Sequence, residues 1–270
     1  MIPETAMPLT DYQCIRFERR GRVLVAILKR PEHMNAVNGV LHDELSRLFV
    51  DLQNDPESDV IVLTGAGRAF CAGGDMAWLQ GSIDHPEEFE RIAQKAKQII
   101  FSQAALEKPL ICRINGHAMG LGASLALLCD ISVAHDKVKI ADPHVCVGLV
   151  AGDGGPFIWP QLVGHAKARK YLLTGDPVGA VEAERIGLIT EVVSEDKLDE
   201  ATYGLAERLA AGATKAIRWT KVAANLPLKQ LIHSHFDAAI AYEILSNATR
   251  DHAEGVAAFR EKRAPKFTGH

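Results

Sequence analysis

Three short patches carry the residue types that chemistry at a carbonyl needs. They are Phe70-Cys71-Ala72-Gly73-Gly74-Asp75, then Gly120-Leu121-Gly122-Ala123-Ser124, then a loop from Asp142-Pro143-His144 to Asp153-Gly154-Gly155. Gly73 and Gly74 let backbone take unusual conformations and approach a ligand closely, so an N–H there can donate to an acyl oxygen. Gly120-Leu121-Gly122 opens a small-residue helix. The Leu121 N–H therefore lacks an intrahelical acceptor and sits at the positive end of the helix dipole. Two such donors would form an oxyanion hole for an enolate, each worth roughly 2.7–4 kcal/mol of barrier. A glycine-rich surface loop and a close helix contact are the plainer readings of the same two glycine pairs. Neither G-x-G-x-x-G nor G-x-x-x-x-G-K-[ST] occurs in the first patch, so a simple nucleotide loop is disfavoured.

The third patch adds side-chain chemistry. His144 carries an imidazole that titrates near ~6.5 and works as acid or base around neutrality. Asp153, nine residues on, either orients that ring in a dyad or caps the helix that begins near Pro156. Ser124 can hydrogen-bond a water, but without a partner base it is a poor acid or base, so a packing or positioning role is expected. Met76, Trp78 and Leu79 after the first patch, and Phe157, Ile158 and Trp159 after the third, are candidates to line an apolar pocket. The remaining histidines, His33 and His42 among them, have no metal-ligand partners at useful spacing, and no metal is assigned.

The elements that must hold these patches can be read from periodicity. Cys14–Phe17 and Val23–Leu28 around Gly21 predict a β-hairpin. Leu41, Leu45, Leu48, Phe49 and Leu52 predict a helix capped by Asn38 and stopped at Asp55-Pro56. Val60–Thr64 reads as a buried strand, followed by a loop from Gly65 to Asp75. Glu87–Leu106 is a long amphipathic helix, and Leu110–Ile114 a strand leading into the glycine turn and a helix to Leu128. Further strands fall at 131–134, 138–140 and 189–193. Beyond them Leu198–Ala211, Thr214–Asn225, Leu228–Ser246 and Asp251–Arg263 are all helical patterns. The first half thus repeats a strand–loop–helix unit that has to stack on its neighbours to bury both faces. A boundary near Ser194-Glu195-Asp196 divides an α/β core, residues 1–195, from a helical region, residues 196–270.

The 270 residues, 47% of them hydrophobic, suffice for one large core. A net charge of -4 gives no reason to expect nucleic acid or an anionic membrane as partner. Five cysteines with no C-x-x-C pair read as reduced thiols in a cytoplasmic protein. Met1–Ala6 lacks the basic and apolar regions of a signal peptide, and no apolar run approaches the ~18 residues of a spanning helix.

Taken in order, the patches resemble the crotonase (enoyl-CoA hydratase/isomerase) superfamily over most of the chain. Arg30-Pro31 with Asn35-Ala36 is similar to its early CoA loop. Arg68-Ala69-Phe70-Cys71-Ala72-Gly73-Gly74-Asp75 resembles its first oxyanion segment, and Asn115-Gly116-His117-Ala118-Met119-Gly120-Leu121-Gly122 its second. Leu173-Thr174-Gly175-Asp176 with Ala183 and Gly187-Leu188-Ile189, and the tail Phe259-Arg260-Glu261-Lys262-Arg263 with Pro265 and Phe267, resemble later family segments. The resemblance implies an α/β spiral of ββα units with C-terminal helices that build a homotrimer or homohexamer. It implies an acyl-CoA substrate, with coenzyme A as part of the substrate rather than a separate cofactor, and a thioester carbonyl held by the Gly74 and Leu121 N–H groups. On that footing Lys29, Arg30 and Lys262 are candidates for the CoA phosphates. His33, Ala36, Ala72, Gly73, Asp75, Met76, Trp78, Gly120 and Phe157 are candidates for substrate contacts.

Hydratases of the superfamily use two glutamates, and their positions match Ser124 and His144 here. The resemblance therefore moves the acid–base work to His144 and Asp153. The same His–Asp pair, with Glu243 from Ala241-Tyr242-Glu243-Ile244, is also similar to members that hydrolyse a C–C bond in β-diketones by retro-Claisen chemistry without CoA. A lone Glu on an amphipathic helix is otherwise expected to be solvated. The readings left open are hydration or isomerisation of an enoyl-CoA, retro-Claisen hydrolysis, and a non-catalytic CoA binder.

Overall fold

In this computed structural model, residues 9–270 are described, so the leader reading of Met1–Ala6 lies outside the described residues. The chain opens with β1 (Ile15–Arg20) and β2 (Val23–Leu28), an antiparallel hairpin, and α1 (Gly39–Asn54). The Asn38 side chain accepts from the Leu41 N–H at 2.9 Å, the cap its position before the apolar run implied. Next come β3 (Val60–Gly65), β4 (Ala69–Cys71), α2 (Met76–Asp84) and α3 (Pro86–Ala105). Then follow β5 (Leu110–Ile114), β6 (His117–Met119) and α4 (Leu121–Leu127), and after them β7 (Ile131–His135), β8 (Lys139–Ala141) and α5 (Gly155–Thr174). β9 (Val178–Gly179), α6 (Ala180–Arg185) and β10 (Glu191–Val193) lead to the final helices α7 (Leu198–Ala210), α8 (Thr214–Ala224), α9 (Leu226–Asn247) and α10 (Arg250–Arg260).

Two sheets result, in the orders β1-β2-β3-β5-β7-β10 and β4-β6-β8-β9. Each turn of chain lays one strand in the first sheet, one in the second, and then a helix: β3, β4 and α2–α3; β5, β6 and α4; β7, β8 and α5. This is the spiral of ββα units. The pairings β2–β3, β3–β5, β5–β7 and β7–β10 are parallel, as crossover connections require. β2 and β3 are buried along their whole length, which is why they read as unbroken apolar runs rather than alternating ones.

The glycine patches hold more structure than expected. The loop Gly65–Asp75 contains β4, the turn before Gly120 contains β6, and α2 follows Asp75 directly. Strands of three residues carry too little periodicity to be seen, and here they exist because parallel partners from distant segments satisfy them.

The C-terminal helices are built into the spiral. Leu198 and Ala206 of α7 share a core with Val23, Val25, Val60, Val62, Ile111 and Val133 of the first sheet. Phe236, Ala239 and Ile240 of α9 join the larger core with Ile99, Ile100 and Phe157. Among the described residues no helix is long and apolar enough to cross a membrane.

Candidate active site

The early loop fixes the first donor. Met34 and Asn35 adopt left-handed backbone, and the fully buried Asn35 side chain donates to the Ala66 and Ala69 carbonyls at 2.9 Å each while accepting from the Arg30 N–H at 2.8 Å. This staples the loop to the β3–β4 connection. Val37 then pairs with Gly74: its N–H donates to Gly73 O at 2.7 Å, and its carbonyl accepts from Asp75 N at 2.9 Å. In a parallel bridge of this kind the N–H of Gly74 itself faces away from Val37. Asp75 caps α2 through Ala77 N at 3.0 Å and pairs with Arg30 at 3.2 Å.

The second donor follows from the second sheet. Gly120 N donates to Ala141 O at 3.0 Å, and α4 starts at the next residue. Among the described residues, neither the Gly74 nor the Leu121 N–H donates a hydrogen bond, so both remain available. The two turns touch. Gly73, at φ +83°, passes so close to Met119 that a Cβ would stand 2.9 Å from its carbonyl oxygen, and Gly120 holds φ 53°, ψ −126°. Only glycine reaches that second conformation without strain.

His144 closes the arrangement. A Cβ added to Gly120 would lie 3.4 Å from His144 Cε1 and 3.7 Å from Nε2, so the ring packs directly on the second glycine turn. Its Nδ1 pairs with Asp142 Oδ1 at 2.5 Å, and its Nε2 lies 3.8 Å from Asp153 Oδ2. This corrects the expected dyad. Asp142, two residues before the histidine, holds the ring, whereas Asp153 is too far for a hydrogen bond and acts by its charge. Nor does Asp153 cap a helix: Gly154 is the N-cap of α5 and no side chain serves there. The i, i+2 spacing of Asp142 and His144 across Pro143 was a visible signal for the pairing. Ser124 is buried and its hydroxyl points to Asp153 Oδ1 at 3.4 Å, a positioning contact. Glu243 is buried as well rather than solvated, the plainer reading of a lone helix Glu, and α9 carries it to the same site. Its Oε2 has no hydrogen-bond partner among the described residues.

Electrostatics sets the proton inventory. Burial alone would lower the pKa of His144, but the Asp142 and Asp153 charges outweigh it and raise it to about 10. Burial lifts Glu243 to about 8, with the Asp153 charge adding to the effect. Burial also raises Asp153, against the pull of His144. At neutral pH the ring is thus an imidazolium, Glu243 is mostly a neutral acid and Asp153 mostly a carboxylate. One atom each from Asp142, His144 and Asp153 lie within 4.8 Å of one another, close enough to share a cation; the proton on the ring supplies that charge.

His144, Asp153 and Glu243 face a cavity of about 400 Å³ that is mainly apolar, with Asp142 behind the ring. Of the predicted contact residues, Ala72, Gly73, Gly74, Met76, Trp78, Leu79, Gly120 and Leu121 line it. Phe157 does not. It is buried against Phe236, with ring centroids 5.9 Å apart, and Ile158 and Trp159 share its place in the core. Those residues follow the site in sequence, but α5 turns their faces inward. Ala36 is buried beside the bridge, while Lys29 and His33 are exposed away from the cavity. Arg30 is committed to Asp75 and to the Ala36 carbonyl. Lys262 is exposed just past α10; its neighbour Arg263 lines the cavity instead, paired to Glu254 at 2.5 Å.

With donors, imidazolium and cavity in place, the comparisons with known proteins agree with the architecture. Residues 18–270 match the family model described as enoyl-CoA hydratase/isomerase. The chain belongs to that family, within the crotonase superfamily, and is an enzyme of it. A crotonyl-CoA hydratase from Syntrophomonas wolfei is 35% identical over 262 residues, covering 95% of this chain and 98% of the relative. A crystal structure of an enoyl-CoA hydratase/isomerase from Mycobacterium paratuberculosis superposes with a TM-score of 0.88 at 34% identity, covering 92% of this chain and 99% of that one. A β-diketone hydrolase from the cyanobacterium Anabaena, bound to (S)-3-oxocyclohexyl acetic acid, superposes with a TM-score of 0.83 at 27% identity, covering 92% and 98%.

Proposed function

We propose that this enzyme acts on an acyl-CoA thioester, hydrating or isomerising an enoyl-CoA through an enolate held by the Gly74 and Leu121 N–H groups. The observation that carries the proposal is the packing of the His144 ring on the second glycine turn, beside one of the two free donors. A carbonyl oxygen seated on those donors gains negative charge as a nucleophile adds to the β carbon, and preorganised N–H groups stabilise that charge without reorganising. In hydration, the Asp153 carboxylate takes a proton from water as its oxygen bonds to the β carbon. The His144 imidazolium then gives its proton to the α carbon, and proton transfer from Asp153 restores the starting charges. Asp142 keeps the ring oriented, with the proton-bearing Nε2 on the side of the glycine turn. The CoA substrates in relatives' names support the thioester, as does the cavity's contact with the C-terminal tail at Phe259, Arg263 and Pro265.

A second reading rests on the buried trio His144, Asp153 and Glu243 and on the likeness to the β-diketone hydrolase. There the same oxyanion hole would hold the enolate released when water cleaves a C–C bond between two carbonyls. Incubation with short and medium 2-enoyl-CoAs, followed by product analysis and by calorimetry with free CoA, separates the two. Consumption of the conjugated thioester supports the first. Cleavage of a cyclic β-diketone with no heat of CoA binding establishes the second in its place.

A further inference from the structure

The cavity wall formed by α1, α2 and α3 is apolar, with Met76, Leu79, Phe89, Ile92 and Ala96, but a histidine in it has hydrogen-bonding capacity to spare. His42 of α1 lines the cavity and is only 2% exposed. Its ring leans on Trp78 with centroids 5.1 Å apart. Among the described residues neither ring nitrogen has a hydrogen-bond partner, yet neither is a sealed, unsatisfied atom, so the ring's polar edge opens onto the cavity. The charged neighbours do not engage it: Asp43 and Lys95 pair with each other. Ser82, the nearby hydroxyl, is spent on the Leu79 carbonyl and on Asn247. Burial lowers the pKa of His42 to about 4, so the ring is neutral and offers one donor and one acceptor. The polar edge meets the cavity with no protein partner, so a ligand that fills the cavity and supplies that partner is better matched to it than a plain hydrocarbon.

We propose that His42 is a specificity-determining residue that hydrogen-bonds an oxygen function, a hydroxyl or carbonyl, on the acyl chain away from the thioester. The natural substrates are then oxygenated rather than plain hydrocarbon acyl groups. The inference rests on the reading that this cavity receives the acyl part of a CoA thioester.

Calorimetry tests it with hexanoyl-CoA and a set of hydroxyhexanoyl-CoA positional isomers on the wild type, His42→Leu and His42→Asn. At least one isomer is expected to bind the wild type about tenfold more tightly than hexanoyl-CoA, the range of one neutral hydrogen bond. His42→Leu should erase that preference while leaving hexanoyl-CoA affinity within about twofold, and His42→Asn should retain part of it. Ring 15N shifts of His42 should move on adding the preferred isomer and stay in place with hexanoyl-CoA, which tests the contact without any variant. Equal binding of all thioesters by the wild type, or a preference that survives His42→Leu, overturns the inference. Binding of none of them overturns the acyl-CoA reading itself.

Discussion

Replacing Asp142 by Asn isolates the contact that organises the site. The side chain keeps its shape but loses the charge that faces His144 Nδ1 at 2.5 Å. Asp142 is buried, and its other carboxylate oxygen, Oδ2, has no partner among the described residues, so water does not take over the role. A hydrogen bond to a charged group is worth about 1.5–3 kcal/mol. At 1.36 kcal/mol per tenfold, the ring should hold its proton roughly 10- to 150-fold less tightly in the variant. Because the wild-type ring stays protonated up to about pH 10, the variant remains largely an imidazolium at neutrality. The effect should therefore appear as an acidward move of the high-pH limb of the rate profile, with a smaller change at neutral pH. Ring NMR of His144 across a pH series reads the same quantity without a substrate. A wild-type ring that titrates near the ordinary value of 6.5, or a midpoint that Asp142→Asn leaves unchanged, would refute the reasoning.

Further outcomes follow from the same geometry. His144, Asp153 and Glu243 all hold protons more tightly folded than unfolded, so this cluster's contribution to stability declines as pH rises. The ring's part is complete below about pH 6.5 and lost through about pH 10, while the cost of burying ionised Glu243 is absent below about pH 4.5 and complete above about pH 8. Glu243→Gln should then melt close to the wild type near pH 4.5 and increasingly above it as the pH rises toward 8 and beyond; a Tm gap that does not widen between those values would contradict the neutral-acid assignment. Phe157→Ala should cost about 3–5 kcal/mol in denaturant unfolding as a core truncation, yet leave the relative kcat/KM for different acyl chains unchanged. A changed chain-length preference would return Phe157 to the pocket. Gly120→Ala forces a side chain into a left-handed backbone against His144 and should abolish turnover while far-UV circular dichroism stays native.

How much of this was legible in the residues depended on the length scale of the signal. Long periodic segments such as α1, α3 and α9 follow from apolar spacing, and Leu121 follows from what a helix start does to backbone N–H groups, whereas glycine chemistry narrows the other donor only to Gly73 or Gly74 and the family resemblance picks Gly74. β4 and β6 are hidden because three-residue strands owe their existence to partners from distant segments of the chain. Asp153 is the expected partner of His144, and Asp142 has no expected role, because position along the chain does not say which carboxylate reaches Nδ1 and which only Nε2. Glu243 is reached in the residues only through the family resemblance, because one helix's pattern cannot show that α9 lies over the site. Phe157 read as pocket because sequence adjacency to Gly155 does not reveal which way α5 faces. Arg30, an apparent phosphate ligand, is occupied by Asp75, a partner 45 positions away.

The central claim is that His144, seated on the second glycine turn, is the proton carrier for a thioester enolate. It is tested most directly by the steady-state kinetics of His144→Gln with a 2-enoyl-CoA that the wild type turns over. Loss of a positioned acid–base group costs roughly 10²–10⁴ in rate, so kcat should fall by about that factor while KM stays within about threefold. A variant with undiminished kcat would contradict the claim.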